Sequence, residues 1–356
     1  MRILVTGGAG FIGSHFTRSL LDGRYVGLED CEVTVVDKLT YASDRSSIPA
    51  THPRLTFVAG DVCDRRMLGD VVPGHDAVVH FAAESHVDRS IDDPTEFIET
   101  NVMGSHLLMA ECVRSGVARV VHVSTDEVYG SIASGSWDER CLLEPNTPYA
   151  ASKAASDCLV RAYWRTYDLD LSITRCANNY GPYQHVEKVI PKFVTSLLAG
   201  QDITLHGDGR AVREWLHVDD HCRAISLVLG KGRAGEIYNI GGDIELTNQA
   251  LAERILQLHG AGWDRVRYVA DRKVQDQRYS LDFRKVQEEL GFEPQISFAD
   301  GLAEVYAWYR DNRQRWAHLY PETASPVEPE ERPEARRPAP VARTAAQRPS
   351  ASSIAR

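Results

Sequence analysis

No apolar run in this chain approaches the ~20 residues of a membrane-spanning helix, no two cysteines are spaced Cys-x-x-Cys, and no block of basic residues offsets the formal charge of −10. The first absence speaks against a helical membrane protein. The cysteines number seven, an odd count, and are scattered, which fits buried or free thiols in a reducing compartment better than a disulfide framework or a zinc site. The negative balance argues against a nucleic-acid surface. An apolar strand that starts at residue 2 leaves no room for a signal peptide, so the expected location is the cytoplasm. What is present is an ordinary globular composition, 43% hydrophobic and 25% charged over 356 residues. That length buries one large domain with a lobe, or two domains.

The strand Arg2-Ile-Leu-Val-Thr6 runs into Gly7-Gly-Ala-Gly10-Phe11-Ile12-Gly13 and then into a helical pattern through Leu21. A glycine-rich match alone is weak, but this one has a strand before it and a helix after it. Glycine lets the backbone turn sharply and approach a pyrophosphate, which sits at the positive end of the following helix. The next strand, Glu32 to Val36, ends in Asp37, placed to accept from a ribose 2′-OH and to repel a 2′-phosphate, so NAD is expected over NADP. Asp61, after a third strand at 55–59, is placed to meet the adenine. A fourth strand at 76–80 opens into the polar loop 81–90, and a long helix is expected over 94–114. Repeated strand–helix alternation predicts an α/β fold with a doubly wound, mostly parallel Rossmann-type sheet and a smaller mixed C-terminal substrate lobe.

The apolar run at 119–123 ends in Ser124-Thr125-Asp126-Glu127, at the kind of strand end where parallel sheets expose active sites. Tyr149 and Lys153 follow on a helix expected at 148–167. They are four apart and share a face, so the ammonium can sit near the phenol. Each piece alone reads as an acidic turn or an ordinary amphipathic helix; behind a dinucleotide site, together they read as a catalytic constellation. After a strand at 171–174 comes the amide-rich loop 175–183. Less regular helices and strands continue to 315. Arg213 is a candidate phosphate ligand through its planar guanidinium. His217 and His221 lack the Glu of a zinc-protease pattern and read as structural, with no metal expected. The expected division is a dinucleotide-binding domain at 1–175 to which later segments add strands, a substrate lobe mainly at 176–318, and a disordered tail at 319–356 that is rich in Pro, Ala, Arg and Glu.

The stretch Thr6 to Gly13 and the Tyr149-x-x-x-Lys153 pair resemble the extended short-chain dehydrogenase/reductase superfamily. Within it, Ser-Thr-Asp-Glu-Val-Tyr-Gly at 124–130 resembles the dTDP-glucose 4,6-dehydratases, as do the stretches 82–90, 178–183 and 212–215. The likeness runs from residue 1 to about 315. It implies a carbon–oxygen lyase in deoxysugar biosynthesis that oxidises C4 of dTDP-glucose, eliminates water across C5 and C6, and returns hydride to C6. Tyr149 as phenolate would take the 4-OH proton, aided by Lys153 and Thr125. Glu127 would be the base at C5 and Asp126 the acid at the departing 6-OH.

The same resemblance implies NAD contacts at Gly7, Gly10, Phe11, Ile12, Gly13, Asp37, Lys38, Leu39, Thr40, Asp61, Val62, Phe81, Ala82, Ala83, Ser85, Thr100, Tyr149 and Lys153. One of Asn178 and Asn179 joins them, taken as Asn179. Substrate contacts are implied at Ser85, Thr125, Asn178, Lys188, Val189, Arg213, Asn248, Asp276 and Arg278, with Arg213 on the diphosphate. Family members usually form homodimers through the helices expected at 94–114 and 148–167, on outer faces expected to carry Leu107 and Leu108. One departure stands out. Where the family commonly has Arg-Pro-Gly-His-Asp, this chain has Arg272-Lys-Val274-Gln275-Asp276, so a Gly and a His are replaced. Two other readings compete. A sugar-nucleotide 4-epimerase would need no acid–base pair at 126 and 127, and a non-catalytic NAD-binding sensor would need neither that pair nor the Tyr and Lys.

Overall fold

Strand formation in the first half follows from short β-branched runs that are apolar at most positions, the signature of strands buried on both faces, with the strand at 55–59 the half-exposed exception. β1 (Arg2–Thr6), α1 (Phe11–Leu21), β2 (Glu32–Asp37), β3 (Leu55–Ala59), α2 (Arg65–Val71), β4 (Ala77–His80), α3 (Val87–Asp92) and α4 (Thr95–Phe97) come first. After them lie a π-helical stretch (Ile98–Gly104), α5 (Ser105–Ser115), β5 (Arg119–Thr125), α6 (Pro148–Tyr167) and β6 (Leu171–Cys176). The second half adds β7 (Asn178–Tyr180), α7 (Val189–Leu198), β8 (Ile203–His206), β9 (Val212–His217), α8 (Val218–Lys231) and β10 (Ile237–Ile240). It ends with β11 (Ile244–Thr247), α9 (Asn248–His259), β12 (Val266–Val269), α10 (Arg284–Leu290) and α11 (Phe298–Asp311). The computed structural model describes residues 1–242 and 244–320, so the tail expected at 319–356 falls outside the described residues from 321 onward.

Seven strands form one parallel sheet in the order β10-β6-β5-β4-β1-β2-β3. The expected fold class is what the chain adopts. Alternate side chains of each strand enter two separate cores. Ile3, Val5, Val79 and Val121 pack with Phe16 and Leu20 of α1 and Cys222, Ile225 and Val228 of α8. Leu4, Val78, Val120 and Leu171 pack on the other face with Leu68, Leu108 and Val160 of α2, α5 and α6. Because the strand order reverses between β1 and β4, a crevice opens at their carboxyl ends. The last strand of the sheet, β10, comes from the second half of the chain. That half also builds a mixed three-stranded sheet, β11-β9-β7, and a parallel pair, β12-β8.

Two expectations about the 94–114 helix change. It is not one regular helix: α4 passes through the π-helical stretch before α5 begins. A single wide turn leaves no mark on a 3.6-residue periodicity. Leu107 and Leu108 do not lie on its outer face; they are 7% and 0% exposed and belong to the protomer's own core. At 100° per residue they fall with Cys112 on the inner side, while Ile98 and Met103 point outward.

Candidate active site

The crevice is lined by the glycine-rich turn, the ends of β2, β3, β4 and β5, the start of α6 and the loop after β6. Gly7 holds φ +70°, and a Cβ there would lie 2.6 Å from the Ala82 nitrogen. A Cβ on Gly13 would lie 2.3 Å from the Gly7 carbonyl oxygen. Only glycine lets the turn, the 81–83 strand end and α1 meet this closely. α1 starts at Gly10 with no side-chain cap and no acidic residue in its first turn, and Phe11, Ile12 and Gly13 line the crevice. Its first amides are thus free for an anion. Asp37 accepts from the Ala9 and Leu39 amides (2.9 and 2.8 Å), which aims the carboxylate, and Lys38 pairs with Asp61 at 3.0 Å. The cradle fits a dinucleotide.

At the far end, β5 delivers the catalytic candidates. Thr125 caps a 3-10 turn over Asp126–Tyr129, accepting from the Glu127 amide at 3.3 Å and donating to Asp126 Oδ1 at 3.1 Å. Asp126 is 2% exposed, and its Oδ2 is buried without a protein partner. Burial pushes its carboxyl well above the ordinary range, with the Glu127 and Glu214 charges adding to the rise. Glu127 is also raised by burial, but Lys188, Arg213 and Arg272 pull it back. Asp126 is fully buried, whereas Glu127 is half-buried with three cations near it, so the surroundings favour charge on Glu127.

α6 is opened by the Thr147 side chain, which accepts from the Ala150 amide at 3.1 Å, with Pro148 in its first turn. That start sets Tyr149 beside the acidic turn. Burial and the Glu127 charge raise the Tyr149 phenol well above its ordinary value, and the Thr125 hydroxyl opposes the rise. Lys153 is buried, donates to the Val123 carbonyl at 2.8 Å, and is lowered by burial. Beneath it, the His80 and His122 rings lie 5.2 Å apart and tilted by 42°, with His80 held by Thr6 and Ser105 and His122 by Ser156. Burial and the Lys153 charge drive His80 to about 3, so the pair stays neutral and adds no charge under the site.

Most of the site residues expected from sequence are brought together here. Gly7, Gly10 to Gly13, Asp37, Lys38, Thr40, Asp61, Val62, Phe81, Ala82, Ala83, Ser85, Thr100, Thr125 to Glu127, Tyr149, Lys153, Asn178, Asn179 and Lys188 all line the crevice. The side-chain oxygens of Asn178 and Asn179 are buried with no protein partner. Leu39, Val189, Arg213, Asn248, Asp276 and Arg278 do not line its enclosed part. Leu39 is a turn residue at φ +57°, Val189 and Asn248 begin α7 and α9, and Arg278 is spent on a bidentate pair with Glu245 (2.6 and 2.6 Å). His217 caps α8 through the Asp219 amide at 3.3 Å, and the described residues contain no cluster of three metal-ligating side chains. The sequence reading missed Tyr41, Asn101, Gln184 and Glu187. Asn101, on the π-helical stretch, accepts from the Glu84 amide (2.8 Å) and donates to the Glu84 carbonyl (3.0 Å) and to Ser152 Oγ (2.8 Å). It joins the 81–86 loop to the catalytic helix. The one signal for it in the sequence was an amide within the helix expected over 94–114.

Comparison with known proteins agrees with this site. The family described as GDP-mannose 4,6 dehydratase matches residues 4–305. A dTDP-glucose 4,6-dehydratase of Streptomyces niveus is 56% identical over 321 residues, covering 90% of this chain and 96% of the relative. The crystal structure of DesIV, the dTDP-glucose 4,6-dehydratase of Streptomyces venezuelae, has a TM-score of 0.89 at 61% identity, over 90% of this chain and 100% of that one. The UDP-glucose 4-epimerase of Thermotoga maritima is more distant, at 30% identity and a TM-score of 0.81 over 88% and 100% of the two chains. A parallel sheet with a dinucleotide cradle at its switch point, an acid pair and a Tyr/Lys helix therefore accompany 56–61% identity over 90% of the chain to dTDP-glucose 4,6-dehydratases, and the chain belongs to the dTDP-glucose 4,6-dehydratase family.

Proposed function

We propose that this chain converts dTDP-glucose to dTDP-4-keto-6-deoxyglucose and water. The observation that carries the reading is the pair of neighbouring carboxyls at the end of β5: Asp126, buried with an unpartnered oxygen and so held as an acid, and Glu127, half-buried with the Lys188 and Arg213 charges near it and so favoured as a base. A 4-epimerase has no use for that division. Relatives act on dTDP-glucose, and DesIV was solved with NAD and TDP bound. NAD, seated over Gly7 to Gly13 and Asp37, supplies the redox chemistry by taking hydride from C4 and giving it back at C6.

The protein's part is proton traffic and position. A tyrosine of ordinary pKa about 10 is a poor base near neutrality. Here burial raises it further, so Tyr149 ionises only as positive charge gathers beside it from Lys153 and the oxidised nicotinamide. Tyr149 then accepts the 4-OH proton, with Thr125 aligning the same oxygen. The 4-ketone acidifies C5–H; Glu127 takes that proton, and Asp126 gives its own to the 6-OH, which leaves as water. Glu127 returns a proton to C5 as C6 is reduced, so the net change is loss of one water. Asn178 and Lys188 hold the sugar, and Arg213 the diphosphate. The protein acts in the cytoplasm as a homodimer joined through the helical segment 94–114 and α6; the exposed Ile98 and Met103, on the π-helical stretch of that segment, support this face. No described helix is long and apolar enough to cross a membrane.

The test is incubation with dTDP-glucose, and separately with UDP-glucose, without added reductant, followed by mass spectrometry. Loss of one water from the dTDP sugar is the expected result. An unchanged mass sinks the reading.

A further inference from the structure

Arg213 stands on β9 opposite Leu246, with its charge felt by Asp126 and Glu127. Among the described residues no carboxylate pairs with it, and its one hydrogen bond runs from Nη1 to the neighbouring Val212 carbonyl at 2.8 Å. A long, free guanidinium is a poor anion ligand unless something fixes its plane, because ordering a rotamer-rich side chain costs about 2 kcal/mol. The fixing group is the ring of Tyr279, over which the Arg213 guanidinium carbon lies 4.4 Å from the centroid.

Tyr279 is itself held. It is 4% exposed, and its hydroxyl donates to Asp276 Oδ2 at 2.6 Å. The other oxygen, Asp276 Oδ1, accepts from Asn146 Nδ2 at 2.6 Å. Asn146 directly precedes Thr147, the cap of the helix that carries Tyr149. It also packs near Gly130, at the end of the Asp126–Tyr129 turn. The 276–281 segment is laid along β9 by the Val212 amide donating to the Gln277 carbonyl at 2.7 Å and by a bridge between Val212 and Arg278. Both carboxylate oxygens of Asp276 are thus engaged inside the protein.

We propose that Asp276 and Tyr279 are positioning residues: Asp276, anchored by Asn146 at the head of the catalytic helix, locks the Tyr279 ring, and the ring locks Arg213 in the plane that receives the substrate diphosphate. This rests on the dehydratase reading above. The nucleotide grip and the catalytic helix then share one chain of four side chains, so a bound diphosphate is registered against Tyr149 and the acid pair.

The experiment uses the NAD-loaded protein and dTDP as the probe, with affinity by calorimetry and KM and kcat for dTDP-glucose. Variants are R213A, Y279L, Y279F, Y279W and the R213A/Y279L double. Y279L is expected to weaken dTDP roughly 5- to 30-fold, as for a partly desolvated cation–π contact, and to raise KM by a similar factor while kcat stays within about 2-fold. Y279W restores most of the affinity, Y279F gives an intermediate loss of about 3-fold, and the double variant is no weaker than R213A. Wild-type affinity in Y279L, or losses that multiply in the double variant, overturns the proposal. Should Y279L lose NAD or its circular dichroism signature, Y279F and Y279W decide alone, and no change in Y279F together with failure in Y279W overturns it. Wild-type protein that binds no dTDP would sink the dehydratase reading instead, a result distinct from any of these.

Discussion

Arg89 and Glu187 join across the mouth of the crevice: Nη2 reaches Oε1 at 2.5 Å and Nε reaches Oε2 at 3.3 Å, while the same guanidinium lies 3.7 Å from the centroid of Tyr41. The loops after β2 and after β7, which line the dinucleotide cradle through Tyr41 and Glu187, are tied at this point to α3. An exposed ion pair is weak by itself, but here it is stacked on an aromatic face. R89A is expected to release NAD roughly 3- to 20-fold faster than wild type in a dilution or competition assay. Equal release rates would show that the loops hold without it.

The acid pair can be separated by exchange chemistry. In E127Q, C5 should neither lose its proton nor take up deuterium from heavy water. In D126N, C5 exchange should continue while water loss falls about 10²- to 10⁴-fold. Equal loss of both steps in both variants would contradict the division of roles.

Asp157 and Arg175 are 0% and 2% exposed and meet at 2.9 Å, and Arg175 also donates to the Tyr129 hydroxyl at 2.8 Å. D157A strands a buried cation and should cost about 3–5 kcal/mol. D157N, which keeps a hydrogen-bond acceptor, should cost less. Urea midpoints measure both, and equal midpoints for D157A and wild type would refute the pairing.

Glu214 accepts from the Gly242 and Leu281 amides (2.7 and 2.8 Å), yet burial pushes its carboxyl up to about 7. A carboxyl with a raised folded pKa binds more protons folded than unfolded, so its contribution to stability is highest at low pH. It declines as pH rises from the unfolded value of about 4.3 to about 7, by up to roughly 3 kcal/mol. Asp126 and Glu127 act with the same sign, and His217, lowered to about 4 by burial, acts with the opposite sign below neutrality. The informative quantity is therefore the difference between wild type and E214Q in urea unfolding from pH 5 to 8. The stability of wild type minus that of E214Q should fall as pH rises, by up to the same amount. A constant offset would show that Glu214 does not titrate there.

The parallel sheet and its cradle were legible in the sequence because each signal was local: a strand, a glycine turn and a helix in twenty residues, then an acid at the next strand end. Thr125, Asp126, Glu127, Tyr149 and Lys153 were legible for the same reason, as two short runs on adjoining elements. What escaped depends on pairs far apart in the chain. Asp276 carries no mark of its bond to Asn146, 130 positions away, nor Arg89 of its bond to Glu187, 98 away. Leu107 and Leu108 were misplaced because an apolar helix face reads alike whether a sheet or a second subunit covers it. The π-helical stretch at 98–104 was invisible because one turn is too short to shift a periodicity.

The position of β10 at the rim of the large sheet also bears on synthesis. Its hydrogen-bond partner β6 ends at Cys176, and β10 begins only at Ile237. At about 5–20 residues per second, the outer edge of β6 stays bare for roughly 3–12 s while the ribosome makes the intervening chain. A bare, apolar parallel edge recruits other strands. For that interval the nascent chain is most exposed to self-association, and a chaperone that shields Leu171–Cys176 until Ile237–Ile240 emerges would raise the yield of folded protein.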